Sequence, residues 1–377
     1  MNSFIFIVTA IVYLLVMLRL SRGLRVAAGP GIKDEHPAVS IVISLHNEAG
    51  NITQLTDCLR RLDYPAAKRE FILVNDRSTD QTGELLKEAA EKISNCRIIN
   101  VSNAVKDFAP KKFALDLAIR QARGEIILLT DADGRPGSKW VQQMVAQFSE
   151  NVGMVLGHAP YIQAGNKHTI AFELLRIEYF SHAAIAAATT GLGFPVTCVG
   201  TNLAYRRSVF LSIDGFGNMR HIHTGDDDLL LQRVRDETDW KISYAFDPQS
   251  FVPNAAPDKW RIFHNQRLRY ASKGVLYPKW VTITLLLFYF FNLFLFLTTV
   301  AALTGNMASL PVLAILVSKM ISDFIFLKIA SSAFRFRLPY WLIPLASLLH
   351  IPYVLYFGLM ANFRSFEWGG MSHRTGG

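Results

Sequence analysis

The chain has 377 residues, of which 51% are hydrophobic, and it carries a net charge of +9. Its mean hydropathy of +0.23 does not suit a purely soluble enzyme and predicts a soluble domain combined with membrane segments. The basic residues lack the interleaved aromatics of a nucleic-acid binder and favour a membrane face, while three widely spaced cysteines argue against a disulfide framework or a zinc site and favour a reducing compartment.

The first predicted element is a membrane span at Ser3–Leu20, an apolar run just long enough to cross a bilayer. Cations lie at its end and after it: Arg19, Arg22, Arg25 and Lys33. The positive-inside rule then places the N-terminus outside and residue 21 onward in the cytoplasm. A cleaved signal peptide is the alternative, but it would need a basic start and a small-residue cleavage site. A linker is predicted at Gly29–Gly31.

Strands and helices then alternate along the chain. The predicted strands are Val39–Leu45, Glu70–Val74, Cys96–Val101 and Gly124–Thr130, and the predicted helices are 51–62, 82–93 and 112–122. Continuous aliphatic runs are typical of buried parallel strands. The alternation therefore predicts a parallel sheet with right-handed crossovers.

Polar side chains follow several of these strands, at the point where each strand ends. They are Asn47 and Glu48, then Asp76, then Asp131 and Asp133. Ligands of open α/β sheets bind beyond the carboxyl ends of the strands, and paired carboxylates favour Mg²⁺ or Mn²⁺. Because no Gly-x-Gly-x-x-Gly or Walker loop is present, phosphates would be held by metal and basic side chains. The alternative is a solvated Asp-x-Asp turn.

The later part of the soluble region has a predicted helix at 169–190 and a predicted strand and turn at 200–207. Asp226, Asp227 and Asp228 then open a further helix. Acids at a helix N-terminus are stabilised by its dipole, so charge capping is one explanation. Three in a row exceed what capping needs, and one of them is a candidate catalytic base.

Three apolar segments end the chain, at 280–303, 310–330 and 338–360. Lys319 and Asp323 lie four residues apart in the second segment, a spacing at which they can pair. Pro339, Pro344 and Pro352 interrupt the third. Three full spans would put Arg364 and Arg374 outside, against the positive-inside rule, so the last segment either crosses or re-enters without crossing.

Five stretches, in this order, resemble family 2 inverting glycosyltransferases with a membrane-attached GT-A domain. They are 39–48, Val74–Asp80, Asp131–Asp133, Gly225–Asp227 and Gln266–Tyr270. The resemblance covers about residues 38–275 and is greatest to the subset that acts on lipid acceptors. Two positions depart from the family: Asp226 stands where a Glu is usual, and Tyr270 where a Trp is usual.

The resemblance implies an α/β, GT-A-like (Rossmann-like) nucleotide-sugar domain with transmembrane helices at both ends. The implied domains are an anchor at 1–21, the glycosyltransferase domain at 38–275 and a C-terminal membrane region at 280–362, with two or three spans. The protein would be integral to the inner or plasma membrane, with its catalytic domain in the cytoplasm.

The resemblance also assigns roles to individual residues. Asp227 matches the catalytic base, with Asp228 as the neighbouring alternative, and Asp131 and Asp133 match the metal-binding acids. The remaining nucleotide- or acceptor-binding matches are Glu48, Asp76, Lys111, Asp226, Gln266, Arg267 and Arg269. Lys112, adjacent to Lys111, is an equal alternative for the lysine.

The expected function is transfer of one hexose from a nucleotide-sugar, with uridine as the expected nucleoside, to a lipid acceptor at the cytoplasmic membrane face. Mg²⁺ or Mn²⁺ would assist, and no nucleic acid would take part. A processive polysaccharide synthase is one alternative, although it usually needs more spans than four. A catalytically silent membrane protein with a sugar-nucleotide domain is another.

Overall fold

A computed structural model describes residues 3–26, 36–163, 169–363, 366–368 and 371–373. Contacts divide the chain into two units. We call Val26–Ala164 with Thr189–Ala256 the sheet unit, and Met1–Arg25 with Gly165–Ala188 and Pro257–Gly377 the helical unit. The predicted linker at 29–31 and the arginines at 364 and 374 lie outside the described residues.

The sheet unit is built on seven strands in the order β3-β2-β1-β4-β7-β5-β8. The strands of this unit are β1 Val39–Leu45, β2 Arg69–Asp76, β3 Cys96–Val101, β4 Ile126–Leu129, β5 Val152–Gly157, β6 Tyr161–Ile162, β7 Leu203–Arg206, β8 Lys241–Ala245 and β9 Asn254–Ala255. β6 and β9 form a separate parallel pair. The four strands predicted from the sequence are confirmed. The predicted parallel pairing is confirmed for β1, β2, β3 and β4. The later strand β7 runs antiparallel to both β4 and β5.

The parallel register brings the predicted polar residues to one edge of the sheet. Val39 of β1 pairs with Arg69 of β2 and with Ile126 of β4. The three strands therefore start level and run in the same direction, so the residues that follow them emerge at the same edge. The expectation that Glu48, Asp76 and the acids after β4 share an edge is confirmed.

Helices cover the sheet and bury its aliphatic side chains. The helices of this unit are α2 Ala49–Arg60, α3 Thr82–Lys92, α4 Pro110–Gln121, α5 Trp140–Val145, α7 Arg207–Ser212 and α8 Asp228–Glu237. On one face, Leu55 of α2, Leu86 of α3 and Trp140 of α5 pack in one core with Ile41 and Leu128 of the sheet. Burial of apolar surface at about 25 cal/mol per Å² makes this core the main support of the sheet edge.

The helical unit contains the apolar segments. Its elements are α1 Ser3–Val26, α6 Ile170–Gly191, α9 Trp260–Ser272, α10 Lys279–Leu303, α11 Ser309–Ala333, α12 Ile343–Met360 and the strands β10 Phe366–Trp368 and β11 Met371–His373. Four helices are long and apolar enough to cross a membrane, at Phe4–Arg25, Lys279–Leu303, Ser309–Ala333 and Tyr340–Met360. Helices of sufficient length and apolarity are therefore present where the sequence predicts membrane spans.

The last apolar segment is helical rather than broken. Pro344 lies in the first turn, where its missing N–H costs nothing, and the helix continues through Pro352 to Met360. The predicted pair in α11 also forms, with Lys319 Nζ 2.6 Å from Asp323 Oδ2. A non-helical re-entrant segment is therefore not what the chain adopts here, and the charged pair inside the apolar region is satisfied.

Candidate active site

The site is centred on Asp131, the first acid after β4. Its Oδ1 lies 3.0 Å from Lys111 Nζ, and its Oδ2 accepts a hydrogen bond from the hydroxyl of Thr201. Lys111 comes from the first turn of α4 and Thr201 from the segment before β7. Three distant parts of the chain therefore meet at this carboxylate.

Lys111 also contacts the acidic run that precedes and opens α8, Asp226–Asp228. Its Nζ lies 2.9 Å from Asp226 Oδ2, so one ammonium joins the acids after β4 to those before α8. Burial lowers the pKa of Lys111, but the charges and hydrogen bonds of Asp131 and Asp226 together raise it by more, and the net pKa lies well above its ordinary value. The neighbouring Lys112 donates instead to the carbonyl of Met219, 2.9 Å away. Of the two lysines, the structure thus places Lys111 among the acids.

The antiparallel strand explains why Thr201 lies there. Leu129 of β4 pairs with Leu203 of β7, and continuing this register by two residues sets Thr201 opposite Asp131. Asn202 fastens the segment, because its amide donates to the carbonyls of His158 and Ser250 at 2.9 and 2.8 Å. Thr201 is not among the site residues predicted from the sequence. Its signal, a Gly-Thr-Asn run before a short strand, has meaning only once β7 is known to pair with β4.

Asp227 is held by two backbone amides. Its Oδ1 accepts from Asp228 N at 2.7 Å, as the N-cap of α8, and its Oδ2 accepts from Gly200 N at 3.0 Å. Gly225 makes the preceding turn in the left-handed region, with φ of +73°. A Cβ at that position would lie 2.6 Å from Leu229 Cγ. Asp227 and Asp131 therefore accept hydrogen bonds from two successive residues, Gly200 and Thr201.

Asp228 has a different environment from its neighbour. It is 2% exposed, and its Oδ1 accepts from Thr197 Oγ1 at 3.0 Å and from Cys198 N at 2.8 Å. These contacts tie the start of α8 to the segment at 197–198. The contacts of Asp228 thus indicate a structural role at the start of α8. Asp227, by contrast, is hydrogen-bonded to the same Gly200–Thr201 segment as Asp131.

Glu48 and Asp133 add negative charge to the same region. Burial, followed by the charges of Asp131 and Glu48, raises the pKa of Asp133 to about 6. Burial also raises the pKa of Glu48, although a hydrogen bond of 2.6 Å from Asn51 Nδ2 opposes this shift. Several carboxylates therefore lie near the ammonium of Lys111, and a bound cation would reduce the repulsion between them.

The carboxylates at this site supply some, but not all, of the ligands that a divalent ion needs. No three His, Cys, Asp or Glu side chains of the described chain form a group that could hold a metal. Magnesium is commonly bound by one or two carboxylates together with substrate phosphates. Asp131 and Asp133 supply two such carboxylates, so the residues fit an ion that arrives with a diphosphate rather than one caged by protein alone.

The loops after β1 and β2 are tied to each other. His46 Nδ1 donates to Asp76 O at 2.6 Å, and Thr79 N donates to Asn47 Oδ1 at 2.8 Å. Asn47 and Arg77 both have positive φ, of 56° and 54°. Asp76 is 3% exposed and pairs with Arg77 Nε at 2.8 Å. The polar residues of the Val74–Asp80 motif thus shape a pair of tight turns at the sheet edge.

The last predicted group lies in the other unit of the chain. Gln266, Arg267 and Arg269 are on α9. Arg267 is 1% exposed and pairs with Glu178 of α6, and Arg269 lies 5.5 Å from the ring centroid of Tyr270. The structure therefore brings Glu48, Lys111 and the acids at 131, 133, 226 and 227 together in the sheet unit, and gives the α9 residues a separate environment in the helical unit.

Comparisons with known proteins agree with this arrangement. A profile of Glycosyl transferase family 2 matches residues 40–213. The chain is 29% identical over 244 residues to the probable glycosyltransferase YdaM of Bacillus subtilis, covering 63% of this chain and 55% of that protein. It is 32% identical over 125 residues to the beta-monoglucosyldiacylglycerol synthase of a Nostoc species, covering 33% of this chain and 26% of that protein.

The fold has a solved counterpart. The mannosyltransferase PcManGT of Pyrobaculum calidifontis, solved with GDP-Man and Mn²⁺, aligns over 95% of this chain and 94% of its own, with a TM-score of 0.58 and 19% identity. At that identity the likeness supports the fold alone. Together with the sequence matches, it shows that this chain contains a family 2 glycosyltransferase domain with a GT-A-like fold.

Proposed function

We propose that the chain transfers a single hexose from a nucleotide-sugar to a lipid hydroxyl or lipid phosphate at the cytoplasmic face of a membrane, with inversion at the anomeric carbon. The observation that carries the proposal is the contact of one ammonium, that of Lys111, with acids of both motifs, Asp131 and Asp226. It joins the region suited to a diphosphate to the one that holds the candidate base.

The donor is assigned to the acid-rich sheet edge. Asp133, with Asp131, would hold Mg²⁺ or Mn²⁺, and such an ion would neutralise charge on the departing diphosphate, an effect worth several kcal/mol. Glu48 and Asp76 are assigned to the ribose and nucleobase, because Glu48 follows β1 and Asp76 ends β2 at this edge. Lys111 supplies a positive charge beside the phosphates. The mannosyltransferase solved with GDP-Man and Mn²⁺ supports a donor of this class.

Asp227 is assigned the role of the general base that removes the proton from the attacking hydroxyl. Each of its oxygens accepts a backbone N–H, which fixes the position of the carboxylate. General-base catalysis of this kind contributes about 10²- to 10⁴-fold in rate. Attack on the face opposite the leaving diphosphate inverts the anomeric centre.

The helical unit supports the proposed orientation, and one relative supports the proposed lipid acceptor. Arg25 lies in the last turn of α1, and Arg335 and Arg337 follow α11. The positive-inside rule places both of these helix ends in the cytoplasm. Gln266, Arg267 and Arg269 are assigned to the acceptor headgroup or to the diphosphate. The Nostoc relative, whose name places diacylglycerol in its product, supports a lipid acceptor.

The test uses membranes that contain the full chain. They are incubated with a panel of labelled nucleotide-sugars and Mn²⁺, extracted with organic solvent, and analysed by mass spectrometry. A lipid carrying one labelled hexose, absent with Asp227→Asn, is the expected result. Label in a polymer would favour a polysaccharide synthase instead. Nucleotide binding without any labelled product would contradict the proposed catalysis.

A further inference from the structure

Both carboxylate oxygens of Asp131 are engaged by other side chains. Lys111 Nζ lies 3.0 Å from Oδ1, and the hydroxyl of Thr201 donates to Oδ2. The side chains of Lys111 and Asp131 are 23% and 34% exposed, so solvent ions screen this pair less than they screen a fully exposed one. The cation that this carboxylate holds is therefore the ammonium of Lys111.

A second acid holds Lys111 in the same position. Its Nζ lies 2.9 Å from Asp226 Oδ2, and the side chain of Asp226 is 11% exposed. Lys111 comes from the first turn of α4, whereas the two acids come from the segments that follow β4 and precede α8. Because three separate elements converge on this ammonium, it gives up two ion pairs when it leaves.

A divalent ion bound to Asp131 competes with Lys111 for the same carboxylate. Magnesium lies about 2.0 to 2.1 Å from its oxygen ligands, so an ion on Oδ1 would come close to Nζ. Two positive charges at such a separation repel each other. The other oxygen already accepts the hydroxyl of Thr201. An ion without further ligands is therefore disfavoured at Asp131 as long as Lys111 remains paired with it.

A nucleoside diphosphate changes this competition, because its oxygens attract both cations. Phosphate oxygens accept strong hydrogen bonds from an ammonium, and they also complete the coordination of a divalent ion. The lysine side chain is a flexible four-carbon stem, so Nζ can turn from Asp131 to a phosphate without movement of α4. Oδ1 of Asp131 is then open to the ion.

We propose that Lys111 makes metal binding at the sheet edge depend on the nucleotide. Its ammonium takes the place of the ion at Asp131 until a diphosphate draws it away, and Mg²⁺ or Mn²⁺ then binds with the diphosphate. This inference rests on the proposed function, which assigns the donor to the same edge. The ion should therefore bind weakly alone and tightly with the nucleotide, and the effect is reciprocal, as for any coupling between two ligands.

The experiment measures Mn²⁺ binding by the full-length protein in detergent solution, without nucleotide and with saturating UDP. Electron paramagnetic resonance reports the concentration of free Mn²⁺. The parent is compared with Lys111→Met and Lys111→Gln, two variants that remove the charge but differ in polarity. Lys106→Met is the matched control, because it removes an equal charge from an exposed lysine of the preceding loop. Thermal unfolding establishes that each protein is folded.

We expect both Lys111 variants to bind Mn²⁺ alone about fivefold or more tightly than the parent does. UDP should tighten Mn²⁺ binding by a smaller factor in these variants than in the parent, and Lys106→Met should match the parent in both conditions. Unchanged or weaker binding of Mn²⁺ alone by the Lys111 variants, or an equal gain in Lys106→Met, would overturn the inference. If the parent transfers no sugar, the proposed function fails, and the binding of Mn²⁺ alone still decides whether Lys111 competes with the ion.

Discussion

Lys111 Nζ lies 2.9 Å from Asp226 Oδ2, although 114 residues separate the two in the chain. The same ammonium lies 3.0 Å from Asp131 Oδ1. Two acidic motifs that are unrelated in sequence thus share one counter-ion at the carboxyl edge of the sheet. Four of the following predictions test residues in this cluster.

Replacing Lys111 with Met should weaken donor use and stability together. The change leaves Asp131 and Asp226 without their shared cation, and their mutual repulsion should lower the free energy of unfolding by about 1 to 2 kcal/mol, since the groups are partly exposed. Thermal unfolding and the donor KM measure the two effects. Lys106→Met, at an exposed lysine of the preceding loop, is the control, and equal behaviour of the two variants would remove Lys111 from the site.

Asp227→Asn should abolish transfer while nucleotide affinity stays nearly unchanged. The amide retains one acceptor oxygen for a backbone N–H but cannot take up a proton, so a loss of about 10²- to 10⁴-fold is expected. Single-turnover transfer and nucleotide titration measure the two quantities. Asp228→Asn is the control, because the hydrogen bonds from Thr197 Oγ1 and Cys198 N end on Oδ1, which Asn retains. If Asp228→Asn loses activity and Asp227→Asn does not, the base is assigned to the wrong acid.

Removal of divalent metal should weaken nucleotide-sugar binding in the parent. Asp133→Ala should bind in the presence of Mn²⁺ about as weakly as the parent does with a chelator, because the variant lacks one of the two carboxylates assigned to the ion. Calorimetric titration with and without chelator checks both statements. Equal affinity of the parent in the two conditions would refute a metal role for Asp133.

Thr201→Val should slow transfer without unfolding the protein. The substitution keeps the side-chain shape but removes the hydroxyl that donates to Asp131. A loss of about tenfold in rate corresponds to about 1.4 kcal/mol, close to the lower end of the range of about 1.5 to 3 kcal/mol for a hydrogen bond to a charged group. Thr197→Val removes a comparable hydroxyl, the one that donates to Asp228, and should leave the transfer rate within a few-fold of the parent. Steady-state rates of the two variants decide the matter, and a parental rate for Thr201→Val would argue against the role of its hydroxyl.

The ion pair of Glu178 predicts a pH dependence of stability. Its pKa in the folded protein lies below the ordinary value of 4.5, so its contribution is fully present above that value and is lost as the pH falls through the folded pKa. The Tm difference between the parent and Glu178→Gln should therefore shrink below about pH 4.5. Thermal unfolding from pH 7 to pH 3 measures it, and a constant difference would show that the pair does not titrate as described.

Much of the site was visible in the sequence because it follows local patterns. Val39–Leu45 and Cys96–Val101 have the same bounds in the prediction and in the structure. Continuous aliphatic runs mark buried parallel strands, and acids placed just after them must emerge at one edge. The positions of Glu48, Asp131 and Asp133 at that edge needed no knowledge beyond strand direction.

The sequence by itself therefore determined the alternation of strands and helices, the apolar spans and the order of the acidic motifs. Only the tertiary structure decided that β7 pairs antiparallel with β4 and sets Thr201 opposite Asp131, that Lys111 rather than Lys112 joins the acids, and that Glu178 holds Arg267. The physical reason is the distance along the chain over which each kind of interaction acts. Hydrophobic periodicity is read within about ten residues, whereas a hydrogen bond between residues 70 or more apart depends on strand order and on which helix face is buried.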